Sequence, residues 1–191
     1  MKKRIVVFAS GTGSNTVNII NYFKNSPEIE VAAVLSNNSQ AKVLQSAEKL
    51  GVLPYSFDRE MIENSNGRVA QILQEIQPDL IVLAGFLWKL PDYLIDAYSQ
   101  IINIHPALLP KYGGKGMYGA HVHQAVLNNK EKESGISIHK VNSIYDDGTI
   151  LFQKSVAIDP NETLESLQKK IHVLEHQFFP IVIEKILKGT L

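Results

Sequence analysis

Asn103 and His105 stand two residues apart at the end of the apolar run Ile101-Ile102, with Pro106 directly behind them. In an extended segment, side chains two apart point the same way, so this amide and this imidazole are expected to face one pocket. Together they can donate two hydrogen bonds to an oxygen on which negative charge develops. The imidazole can also exchange a proton near neutral pH. The plainer reading is a strand that ends in a core histidine and a turn.

Two further stretches carry donors or acceptors suited to chemistry. Ser10-Gly11-Thr12-Gly13-Ser14-Asn15 follows the β-branched run Ile5 to Ala9 and precedes Val17, Ile19, Ile20 and Phe23, which are spaced as on a helix. Strand, glycine turn and helix start form an anion-binding arrangement, because glycine lets the backbone approach and free N–H groups face the ligand. The third glycine of a dinucleotide fingerprint and the Gly-Lys-Ser/Thr of a P-loop are both missing. A bound phosphate and a purely structural tight turn therefore both remain open. In Tyr145-Asp146-Asp147-Gly148-Thr149, both aspartates could simply serve a turn, and for Asp147 that reading is kept. Asp146 could instead reach a histidine and favour its charged form.

Positioning these groups requires an α/β scaffold. Apolar runs at 5–9, 30–36 and 80–84 read as strands buried on both faces of a parallel sheet, with a shorter strand at 52–57 and another at 101–105. Helices are expected over 41–50, closed by Gly51, and from Asp58 to Ile76 with an interruption at Asn64 to Gly67. A short helix at 91–98 has Pro91 in its first turn, and another spans 120–128. Ligands of open parallel sheets bind beyond the carboxyl ends of strands, which is where the two glycine-containing strand ends and Asn103-Ile104-His105 converge. From 134 to 158 the pattern alternates, predicting a hairpin with a long loop, the antiparallel edge often added to a parallel sheet. The last helix starts at Thr163 as cap with Glu165 in its first turn. Leu164, Leu167, Ile171, Leu174 and Phe178 form its core-facing stripe, and Pro180 is expected to kink or split it. Glu175 lies beside that stripe and reads as a solvated rim carboxylate. The stretch 106–119, with its two prolines and four glycines, is either a surface connection or a mobile loop over the site.

Composition narrows the partners. The chain has 191 residues, 45% of them hydrophobic, with 19 basic and 19 acidic side chains and no cysteine. A balanced charge offers no excess field for a nucleic acid, and no apolar run approaches the length of a membrane span. Without cysteine there is no disulfide or thiolate metal site. His121 and His123, two apart near a helix start, do not share a helix face and are read as non-metal residues. The expectation is one cytoplasmic domain over residues 1–191, handling small molecules as a monomer or homodimer.

Taken together, Gly11-Thr12-Gly13-Ser14-Asn15, Leu83-Ala84-Gly85-Phe86, Asn103-Ile104-His105-Pro106 with Leu108-Leu109-Pro110-Lys111, Tyr145-Asp146 to Gly148, and Glu175-His176 before Pro180 resemble the phosphoribosylglycinamide formyltransferase family. The resemblance implies a Rossmann-like three-layer fold with a mostly parallel sheet of about seven strands. It also implies 10-formyltetrahydrofolate as a consumed formyl donor, with no metal. By the same resemblance Asn103, His105 and Asp146 match the catalytic trio, and Gly13, Ser14, Asn15 and Glu175 match the site for the phosphoribosyl glycinamide. Leu87, Trp88, Lys89 and Leu90, together with Asn103 and the segment leading to Asp146, match the folate pocket, and Arg59 an arginine near it. The chain departs from the family at Ala107, where serine is usual, at Asp147, where glycine is frequent, and in a longer 113–119 loop. Other formyl-folate enzymes and a non-catalytic phosphate-binding module are the alternatives. The former usually carry a further domain, and the latter would not need Asn103, His105 and Asp146 together.

Overall fold

The computed structural model describes residues 1–191. In chain order the elements are β1 (Lys3–Phe8), α1 (Ser14–Phe23), β2 (Ile29–Ser36), α2 (Lys42–Lys49), β3 (Leu53–Ser56), α3 (Arg59–Glu63), α4 (Arg68–Ile76), β4 (Leu80–Leu83) and α5 (Asp92–Ala97). They continue with β5 (Ile101–His105), α6 (Ala120–Asn128), β6 (Glu133–Lys140), β7 (Ile150–Ala157) and α7 (Leu164–Lys188). The strands form a seven-stranded sheet in the order β3-β2-β1-β4-β5-β6-β7. The first five strands in that order pair in parallel, whereas β6 and β7 are antiparallel to their neighbours.

The continuous apolar strands make sense because both faces of the sheet are covered. Along β1, Ile5 and Val7 join Ile19, Leu167 and Phe179 in one core, while Val6 and Phe8 join Ile62, Leu73 and Leu94 in the other. A strand whose alternate residues enter two different cores cannot afford polar positions. The chain leaves β1 for β2 and β3 on one side and returns to β4 on the other. The crevice outside the carboxyl ends of β1 and β4 is thus the switch point where such sheets take ligands.

Two sequence expectations are corrected. Pro91 lies at the N-cap of α5, one residue ahead of the helix, where its fixed φ and missing N–H cost nothing. Pro180 does not split the last helix, and α7 runs unbroken for 25 residues. Proline at 180 removes the N–H that would bond the carbonyl of His176. That carbonyl instead accepts a hydrogen bond from Asn18 Nδ2 of α1 at 2.8 Å, so packing supplies the partner that the helix lacks.

Candidate active site

The glycine turn after β1 is fixed by two constraints at Gly13. Its φ is +75°, in the left-handed region that side chains disfavour, and a Cβ there would lie 2.1 Å from Val43 Cγ2 of α2. Only glycine lets α1 begin here with α2 so close. The first N–H groups of α1 have no carbonyl within the helix to bond, and no acidic residue occupies its first turn. The end of α1 is therefore electrostatically open to an anion.

Gly13, Ser14 and Asn15 line a cleft of about 650 Å³ together with Asn103, His105 and Glu175. Asn15 Nδ2 donates to Glu175 Oε2 at 3.0 Å, while Asn15 Oδ1 is buried without a protein partner. Glu175 is not the solvated rim carboxylate expected from its helical position. Burial pushes its carboxyl above the usual range, and the hydrogen bond from Asn15 only partly opposes this. The cause is tertiary: α1 closes over the face of α7 that carries Glu175.

Asn103 and His105 both face this cleft, as the two-residue spacing requires. Antiparallel pairing of β5 with β6 sets His139 directly across from Asn103 and Ser137 across from His105. His139 Nδ1 lies 2.8 Å from the carbonyl of Lys140 and its Nε2 lies 3.1 Å from Asn103 Nδ2. A neutral His139 with its proton on Nδ1 accepts from the amide at Nε2, whereas a ring carrying a proton on Nε2 presents it to Asp146 Oδ1, 3.5 Å away. His105 Nε2 donates to the carbonyl of Tyr112 at 2.7 Å, and its Nδ1 is 3.5 Å from Asp146 Oδ2.

Asp146 ties the cluster together. Its carboxylate accepts from Asn103 Nδ2 at 3.4 Å and from the Gly114 N–H at 2.9 Å, and lies 3.5 Å from His139 Nε2. Burial alone would raise its pKa; His139, His105 and the Gly114 N–H outweigh that and hold it below the usual carboxylate range. The backbone at Asp146 is itself unusual, with φ +54°. Two residues on, a Cβ at Gly148 would lie 1.7 Å from the carbonyl oxygen of Lys140, so the turn is seated against β6. For His105 the net effect differs from the expectation that Asp146 keeps it charged. Burial lowers its pKa, and the opposing pull of Asp146 and the Tyr112 carbonyl does not compensate. The ring is thus biased toward neutrality, and the Asp146 carboxylate 3.5 Å from Nδ1 would favour an added proton there.

A second cavity of about 390 Å³ adjoins the first, and Asn103 lines both. Leu83, Leu87, Trp88, Lys89 and Leu90 form one side of it, and Val141, Asn142, Ile144, Tyr145 and Asp146 another. Leu90 is buried, Leu87 half-exposed, and Lys89 pairs with Asp92 at the rim. Arg59 lies outside the lining: it stacks 4.0 Å over the Trp88 ring and pairs with Glu63. An apolar slot closed at one end by Asn103 and Asp146 suits a flat aromatic ligand with polar edges.

Sequence reasoning missed His139, the Gly114 N–H and the burial of His123 in the cleft wall. For His139 a signal existed, since the alternation of β6 puts it on the same side as Ser137. Recognising its partner needs the β5–β6 register. The Leu109-Pro110 bond, one residue beyond Leu108, is cis.

This fold and site define a group-transfer enzyme, and the chain belongs to the formyl transferase family, whose pattern it matches over residues 3–183. It is similar to the phosphoribosylglycinamide formyltransferase of Bacillus subtilis, at 35% identity over 97% of this chain and 95% of that protein. The Escherichia coli protein of the same name is 32% identical, covering 98% of this chain and 88% of that one. Among solved structures, a phosphoribosylglycinamide formyltransferase from Streptococcus pneumoniae superposes with a TM-score of 0.84 at 35% identity, covering 97% and 99% of the two chains.

Proposed function

We infer that this enzyme transfers the formyl group of 10-formyltetrahydrofolate to the amine of phosphoribosyl glycinamide, giving the N-formylglycinamide and tetrahydrofolate. The observation that carries the reading is the contact of Asn103, His105 and Asp146 at the seam between two cavities of different character. The polar cleft, with its glycine turn, suits the phosphoribosyl substrate: Gly13, Ser14 and Asn15 at the phosphate, Glu175 at the ribose or glycinamide portion. The apolar cavity suits the folate ring, with Leu87 to Leu90 as its wall. Arg59, held on Trp88 outside that wall, would meet the folate only through the acidic tail that leaves the ring pocket.

In this scheme the amine attacks the formyl carbon and forms a tetrahedral species whose oxygen becomes negative. Asn103 Nδ2, exchanging its long 3.4 Å contact with Asp146, and the Nδ1–H of protonated His105 donate to that oxygen. The new negative charge on that oxygen favours protonated His105, and the Asp146 carboxylate 3.5 Å away stabilises that state. One proton leaves the amine and one reaches the departing folate nitrogen, so the residues relay a proton without net gain. Holding both substrates in one cleft supplies part of the rate through proximity.

The test is to follow loss of formyl donor by purified protein with and without phosphoribosyl glycinamide. Loss only with the glycinamide is expected. Equal loss without it would make the enzyme a hydrolase, and no loss from folded protein would remove the assignment.

A further inference from the structure

Four residues line both cavities: Phe86, Leu87, Asn103 and Tyr118. Any group that passes from one ligand to the other crosses this seam. Asn103 is already engaged in the chemistry. Phe86 is held edge-on against Phe8 at 5.4 Å, and the Leu87 N–H is bonded to Ser10 Oγ at 3.0 Å, so both are fixed to the scaffold. Tyr118 alone comes from the 106–119 loop. Tyr118 is 48% exposed, lies between Gly116 and Gly119, both at positive φ, and sets its ring edge-on to His121 at 5.6 Å. An aromatic ring left half-open at the seam becomes covered once both cavities are filled, which favours its closure over the ligands.

Water competes with the amine here. Its oxygen would attack the same formyl carbon and the carbon–nitrogen bond to the folate would break. The folate nitrogen would take one proton, and formate would leave with the other released to solvent. Asn103 and His105 would assist that reaction as well as transfer, since both pass through the same kind of oxyanion. Choice between them must come from what can reach the carbon. We propose that the Tyr118 ring excludes water from the seam and so directs the formyl group to the amine. This rests on the formyl-transfer reading above.

The experiment counts formylated glycinamide produced per donor consumed, under saturating substrates. Wild type should give one product per donor lost. Tyr118→Ala should consume roughly twofold or more donor per product, with raised donor loss when glycinamide is omitted. Tyr118→Phe should restore the one-to-one ratio, because the ring and not the hydroxyl acts. Met117→Ala, in the same loop but lining neither cavity, should keep the ratio and so separate water exclusion from general loop damage. If Tyr118→Ala, with an unchanged melting temperature, stays one-to-one at any rate, the proposal fails. The same holds if Met117→Ala uncouples equally. Wild-type protein that never forms product would sink the transfer reading itself.

Discussion

The two halves of the sheet contribute to the site in different currencies of structure. On the parallel side, β1 leads into the Gly11 to Gly13 turn, which presents main-chain N–H groups at the start of α1. At the boundary with the antiparallel side, β5 and β6 and the hairpin turn present side chains: Asn103, His105, His139 and Asp146. Parallel strands all end at one edge and lead into helices, so their loops offer backbone and helix termini. An antiparallel neighbour brings a cross-strand partner beside each residue, which is how His139 comes to face Asn103. The parallel half is built to hold, the boundary to react.

That division is broken most directly at the boundary. Asn103→Ala or His105→Ala should lower turnover by about 100- to 1,000-fold, with glycinamide affinity by calorimetry nearly unchanged; a large affinity loss with modest turnover loss would reverse the division. On the holding side, Gly13→Ala combines a left-handed backbone with the close approach of Val43. It should destabilise by about 1–3 kcal/mol and weaken the glycinamide substrate, read from thermal melting and the Michaelis constant. Asn15→Ala should raise that constant by about tenfold with the folate constant little changed.

Proton linkage sharpens the same contrast. His105 has a folded pKa below its reference of 6.5. Between those two values the unfolded chain holds a proton that the native state does not, so stability rises with pH across the window and falls as pH drops through it. His105→Gln should flatten that part of the stability–pH curve. Glu175 has the opposite sign: its raised pKa costs stability above the folded value and nothing below the unfolded one. Glu175→Gln should therefore raise the melting temperature slightly at neutral pH, and the gain should vanish near pH 4. A stability effect without a proton is expected for Asn18→Ala, which strands the His176 carbonyl opposite Pro180 and should cost about 1 kcal/mol in denaturant titration.

The legible and illegible parts of the sequence divide along similar lines. Strands such as Leu80–Leu83 and the pair Asn103 and His105 could be read because their signal is local, a run or a two-residue spacing. Asp146 read locally either as turn chemistry or as the partner of a histidine, and resemblance to known formyltransferases favoured the second. Glu175 and Pro180 misled because their behaviour depends on α1, whose Asn15 and Asn18 lie about 160 residues away in the chain. His139 needed the register of two strands, which no single segment encodes.

The partner of His105 Nε2 is the main-chain carbonyl of Tyr112. A carbonyl is common to all twenty residue types, so no point substitution at 112 can delete it. Glycine would even fit its positive φ of 58° more easily. The orientation of the His105 ring is thereby shielded from ordinary substitution and exposed to insertions and deletions, which would move the carbonyl without changing a single residue of the site. Among relatives with shorter or longer loops between positions 106 and 119, variation in loop length, rather than residue identity at 112, is where His105 is expected to lose or exchange this partner.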